Sequence, residues 1–151
     1  MPVESGSEAG KPDEIGYINT RREALLALLF RSSKEQRILQ IDTGCNLEVV
    51  LMDRTLVDDL REPDEPEWYE QATVADGFLA YFKIVVSRVR FFGILRKISV
   101  YVPESTPARP LPESRPFIRG EPIGMIGSKL LRTTKLVIDY PEETVRISEN
   151  V

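Results

Sequence analysis

Asp42 sits where a carboxylate can do chemistry. It follows the apolar-rich stretch Ile38, Leu39, Gln40, Ile41 and is followed by Thr43 and Gly44. A strand that carries an ionisable group toward apolar surroundings needs a partner or a use for it, because an uncompensated buried charge is costly. What the use could be is narrowed by what the chain lacks. It has no histidine and a single cysteine, Cys45. Ser-His-Asp and Cys-His nucleophilic catalysis are therefore excluded, as are ordinary zinc sites and intrachain disulfides. No glycine-rich phosphate loop of the Walker or dinucleotide type is present. Carboxylates, hydroxyls, lysines or a bound cofactor remain, and the carboxylates come first. Taken alone, Asp-Thr-Gly after a strand is also ordinary turn chemistry, so the tripeptide by itself leaves both readings open.

The elements that must position Asp42 read as short strands with little helix. Glu23 to Phe30, EALLALLF, has helical propensity. It is short, however, and is followed by the turn-like RSSKEQ and the strand-like RILQIDTG, which predicts a β-hairpin. In NLEVVL, Leu47, Val49 and Leu51 fall on one face of a strand. Asp53 is placed to cap a short helix. REPDEPEWYE is broken by Pro63 and Pro66 and predicts a solvated loop, with Trp68 packing it down and the acids of 58–70 forming a solvated charge run. Asp76-Gly77 between apolar runs is a hairpin signal, and Gly93 marks a second reversal. Residues 103–116 hold five of the eleven prolines and predict an irregular surface loop. The last third predicts an apolar strand, a glycine, a short helix from Ser128, and a hairpin turning at 141–143.

At 151 residues the chain suits one domain with one core. Residues 1–14, polar and rich in Gly and Pro, predict a flexible tail that is neither a signal peptide nor a membrane span. The domain is expected over 15–151. A formal charge of −4 argues against nucleic-acid binding. The Arg and Lys of RREALLALLFR and RVRFFGILRK fit the solvent face of strands. No membrane partner is expected, and one free cysteine fits a reducing compartment, with the cytoplasm as the default. A carboxylate glycosidase would need two well-spaced acids in one chain, and no other acid stands in a setting like that of Asp42.

LQIDTGCN resembles the apolar-Asp-Thr-Gly motif of aspartic proteases. GMIGSKLLRTTKLVIDY is similar to their later element, two apolar residues and a glycine followed by a short helix and a strand. VADGFLAYF lies where the family's flap hairpin falls. The order and spacing resemble the single-domain, retropepsin-like branch, including its small prokaryotic members, over roughly 15–147. The resemblance implies an all-β, retropepsin-like half-barrel with one or two short helices, working as a homodimer without metal or cofactor. It implies that Asp42 is catalytic and pairs with Asp42 of a second copy, two carboxylates sharing one proton. Thr43 would bond across the interface, and Gly44 would give the loop its turn and let backbone groups approach the carboxylates. Ala75, Asp76, Gly77 and Phe78 would form the flap tip over a polypeptide substrate. Met125 and Ile126 would line the cleft floor, and Gly127 would let the chain pass beneath the dyad. Cys45, where the family more often has Ala or Ser, reads as a small hydrophobe. The same resemblance also admits a non-catalytic dimeric protein-interaction domain of this fold.

Overall fold

Alternating apolar residues close six strands into a barrel. The computed structural model describes residues 12–73, 79–113 and 119–149. The strands are β1 (Glu14–Ile18), β2 (Ala24–Phe30), β3 (Gln36–Ile41), β4 (Val49–Leu51), β5 (Trp68–Thr73), β6 (Leu79–Phe91), β7 (Ile94–Pro103), β8 (Gly124–Ile126), β9 (Thr134–Asp139) and β10 (Thr144–Glu149). The helices are a 3₁₀ turn (Arg54–Leu56) running into α1 (Val57–Leu60), and α2 (Ser128–Leu131). The sheet order is β9-β10-β1-β2-β3-β8-β4-β7-β6-β5, and β2 also pairs with β6. That extra pairing joins β2, β3, β8, β4, β7 and β6 into a closed ring, with β9, β10 and β1 extending one side and β5 the other.

Local chemistry accounts for most of these elements. The EALLALLF run is the predicted strand and pairs antiparallel with β3, Leu26 opposite Leu39. Leu26, Leu28 and Phe30 enter the core with Leu39 and Ile41. Each such fully buried side chain contributes about 1.5–3 kcal/mol. Asp53 caps the 3₁₀ turn, its carboxylate accepting the Thr55 N–H at 3.2 Å. The β6–β7 hairpin turns at Phe92 and Gly93, with φ of 55° and 74°. Two positive φ angles are those of a type I′ turn, whose twist matches that of the strands it joins. Phe92 holds this posture through its N–H to the Glu14 carboxylate at 2.8 Å and its contact with the Phe91 ring.

Four expectations change. The acids of 58–70 are not all solvated: Glu62 is buried and accepts hydrogen bonds from Arg31, Ser32 and Arg88. Asp59 is likewise paired with Arg37 and Ser33. Trp68 does not pack a loop down; it opens β5, exposed, with its indole N–H on Glu70 at 2.6 Å. Leu47 lies outside β4 and packs with Val50 on a second apolar cluster, whereas Val49 and Leu51 enter the main core. Glu14, expected in the tail, belongs to β1, and Asp13 just before it pairs with Arg146. Residues 1–11 lie outside the described residues. No described helix is long and apolar enough to cross a membrane.

Candidate active site

Asp42 follows β3 directly, and β8 fixes where it emerges. β8 runs between β3 and β4, parallel to the first (Ile41 opposite Ile126) and antiparallel to the second (Val49 opposite Ile126). The Asp42 N–H donates to the Ile126 carbonyl at 2.9 Å, continuing that ladder by one residue. The chain then turns: the Cys45 N–H donates to the Asp42 carbonyl at 3.1 Å, and the Gly44 N–H to Asp42 Oδ1 at 3.0 Å. A second pair of bonds closes the loop from below, Gly127 N–H to the Glu48 carbonyl at 2.9 Å and Ser128 N–H to the Cys45 carbonyl at 2.6 Å. The carboxylate therefore hangs from a loop whose both ends are bonded to β8 and its continuation. Asp42 is half-buried, while Thr43 and Gly44 are exposed on the single chain.

The two glycines of the site differ in what they do. A Cβ at Gly127 would collide with the carbonyl oxygens of Leu47 and Cys45, both backbone atoms that the loop holds in place. A Cβ at Gly44 would meet just the Asp42 Oδ1, at 3.3 Å. Gly44 has no positive φ; among the described glycines that conformation belongs to Gly93 and Gly120. Its loop role lies in the close approach of its N–H to the carboxylate, not in a left-handed turn.

Met125 and Ile126, expected together on a cleft floor, part company. Ile126 is fully buried in the barrel core and presents its carbonyl to Asp42; Met125, on the opposite face of β8, lines a cavity of about 410 Å³. The cavity lies among β4, β6, β8 and the proline-rich segment after β7. Cys45 is half-buried and packs, with Leu47 and Met125, on the cluster of Val50, Phe82, Ile84 and Tyr101. Burial raises the Tyr101 phenol above its usual value, with the Glu70 and Glu48 charges adding to the shift. Ala75, Asp76, Gly77 and Phe78 lie outside the described residues; β5 and β6, which flank them, pair antiparallel from Trp68 opposite Ile84 to Thr73 opposite Leu79.

Two contributors were not legible as site residues. Glu48 holds Gly127 through its carbonyl and the Ser99 N–H through its carboxylate at 2.8 Å. Any residue has a carbonyl, so no side-chain type announces the first role. Arg109 and its loop line the cavity, and only the fold brings them there. Among the described residues no group of three or more His, Cys, Asp or Glu is gathered as a metal site.

By sequence, no protein-family model and no curated protein matches the chain. By structure it is similar to a retropepsin-like aspartic protease from Rickettsia conorii, solved by crystallography. The TM-score is 0.56 over 91% of each chain, at 14% identity. The class is thereby defined: an all-β, retropepsin-like fold, a six-stranded barrel with two short helices. The chain shares with that protease the architecture on which the Asp42 loop is built.

Proposed function

We propose that this chain is one half of an aspartic endopeptidase, completed by a second copy. The observation that carries the reading is the Asp42 loop on a retropepsin-like barrel: its backbone is bonded at both ends to β8 and its continuation, the Asp42 carboxylate accepts the Gly44 N–H, and Thr43 and Gly44 are exposed. A single chain offers one carboxylate in this setting. The twin supplies the other across a two-fold axis, and the exposed Thr43 of each chain bonds to its counterpart and locks the loops together.

With one carboxylate ionised and one protonated, both halves of peptide hydrolysis are available. The ionised group takes a proton from water as its oxygen bonds to the scissile carbonyl carbon. The protonated group gives its proton to the carbonyl oxygen. On collapse of the tetrahedral intermediate the now ionised second group takes back a hydroxyl proton, the carbonyl re-forms, and the C–N bond breaks as the first group gives the proton it took from water to the departing nitrogen. The substrate is an extended polypeptide, the pair needs no metal or cofactor, and neither nucleic acid nor membrane is a partner. The site suits a cytoplasmic protein as well as any other.

The test is cleavage of an unfolded polypeptide across several acidic pH values, with Asp42→Asn alongside. Cleavage by the native chain, lost by at least about a thousandfold in the variant, is expected, since removing one member of a catalytic unit disables the unit. Equal cleavage by both proteins removes Asp42 from the mechanism. A dimer that cleaves nothing is instead a protein-interaction module of the same fold.

A further inference from the structure

The Asp42 loop is tied to β8 and its continuation through backbone: the Asp42 N–H to the Ile126 carbonyl, the Gly127 N–H to the Glu48 carbonyl, the Ser128 N–H to the Cys45 carbonyl. Those bonds fix residues 42–48 and 126–128 to each other. Something further must fix the pair to the neighbouring strand, β7. β4 begins at Val49 and runs parallel to β7, Val49 opposite Val100 and Val50 opposite Tyr101. One residue earlier the chain turns from β7 to meet Gly127, and the backbone ladder stops. The next N–H along β7, that of Ser99, takes a side chain in place of backbone: it donates to Glu48 Oε1 at 2.8 Å.

Glu48 is therefore bonded to two elements at once, through its carbonyl to Gly127 at 2.9 Å and through its carboxylate to β7. The bond to β7 is partly buried, and a carboxylate accepting a backbone N–H makes the stronger kind of hydrogen bond. Ser99 is in turn held from its other side by β6, opposite Val86, so the anchor belongs to a paired strand of the barrel. The loop has little slack to absorb a shift of Glu48. A Cβ at Gly127 would strike the carbonyl oxygens of Leu47 and Cys45, so these backbones already lie in close contact. Displacement of Glu48 is passed to Gly127 and to the Asp42 loop above it.

We infer that Glu48 is a positioning residue for the reaction: by gripping β7 at Ser99, its carboxylate sets where the Asp42 loop meets its mate. This rests on the endopeptidase reading, and its test has a readout that needs no cleavage. Three variants separate bond, charge and reach. Glu48→Gln keeps an oxygen acceptor of the same reach, Glu48→Ala removes it, and Glu48→Asp keeps the charge but falls a methylene short. Amide exchange is followed by NMR in the full chain. The Ser99 N–H exchanges faster in Glu48→Ala whatever Glu48 does for the loop, so the informative amides are Cys45, Gly127 and Ser128. Relative to amides of the β9–β10 ladder they are expected to exchange about tenfold faster or more in Glu48→Ala and Glu48→Asp, as a locally loosened segment does. Glu48→Gln restores near-native rates. In the cleavage assay kcat falls about a hundredfold in Glu48→Ala with KM within about twofold, the scale of a displacement of about 1 Å at a catalytic centre, and Glu48→Gln recovers most of it. Carboxylates held further apart also couple less. The higher titration of the pair then falls toward the ordinary Asp value, and the alkaline limb of the kcat profile moves to lower pH in Glu48→Ala and Glu48→Asp. Lost stability alone lowers the amount of active protein and leaves that limb in place.

Loop amides unchanged in Glu48→Ala, or as fast in Glu48→Gln as in Glu48→Ala, overturn the inference. So does an alkaline limb that stays in place in a variant that still cleaves. If Glu48→Ala does not fold, Glu48→Asp carries the same comparisons. Faster loop amides reversed by Glu48→Gln, with no cleavage by the native chain, keep the grip on the loop and discard proteolysis. Cleavage with a kcat and a pH profile indifferent to Glu48 does the reverse.

Discussion

At the scale of single residues, the site turns on which groups the Asp42 loop cannot change. Gly127 has backbone on the side where a Cβ would go, the carbonyl oxygens of Leu47 and Cys45, and those carbonyls cannot swing aside as the end of a flexible side chain would. Overpacking of this kind costs about 1–3 kcal/mol. Gly127→Ala should lower the melting temperature by about 3–9 °C for a domain of this size. It should also displace the Asp42 loop, since the Gly127 and Ser128 N–H bonds to Glu48 and Cys45 must stretch first. Gly44→Ala meets just a carboxylate oxygen at 3.3 Å, which gives by a few tenths of an ångström, and its melt should stay close to that of the native chain. Thermal melts of the two variants check this directly; a Gly44→Ala loss as large as that of Gly127→Ala contradicts the assignment of roles.

At the scale of elements, the segment from α1 to β5 is held to the barrel by charge. Glu62 is kept below the ordinary carboxylate range chiefly by the Arg31 hydrogen bond, against the opposing effect of its burial, with Ser32 and the Arg31 and Arg88 charges assisting. Its neighbours follow: Lys97 and Arg88 lower Glu65, and Arg61 and Lys83 lower Glu67. A carboxylate depressed in the folded state contributes stability that is fully present above its unfolded value, about 4.3, and lost as the pH falls through the folded value. Glu62→Gln should therefore melt about 4–8 °C below the native chain at neutral pH, from the loss of about 2 kcal/mol of charge-assisted bonding. The gap should hold down to about pH 5 and close below the ordinary Glu range. A gap that is constant through pH 3, or that widens there, refutes the ion-pair account. None of this is legible in the sequence, because Arg31 and Arg88 stand 31 and 26 residues from Glu62. By contrast the Gly93 turn, the Asp53 cap, the β2–β3 hairpin and the helix from Ser128 are each encoded within a few residues, and each can be read locally. Between these extremes lies β8. Its apolar run is visible, but its position between β3 and β4 decides that Ile126 enters the core while Met125 lines the cavity, and a three-residue strand does not announce its neighbours.

At the scale of the whole molecule, a barrel closed by the β2–β6 pairing leaves one Asp42 loop exposed per chain, and the proposed chemistry needs two. That requirement has a signature that neither the fold nor the cleavage assay alone provides. If both carboxylates must be intact, mixing native chains with Asp42→Asn chains under conditions where subunits exchange makes three dimers, and just the native pair is active. Activity at fixed total protein should then follow the square of the native fraction, falling to roughly one quarter in an equal mixture, as random pairing in a two-fold assembly demands. A chain sufficient by itself gives a straight line and roughly one half at the same point, since each native copy then works regardless of its partner. Because Asn preserves the size of the Asp42 side chain and can still accept the Gly44 N–H bond, the variant should pair as readily as the native chain. The same series diluted below the dimer's dissociation constant should lose activity per chain for every composition, because half-sites without a mate hold a single carboxylate. A linear mixing curve, or specific activity that survives dilution to the monomer measured by sedimentation, defeats the shared-site mechanism.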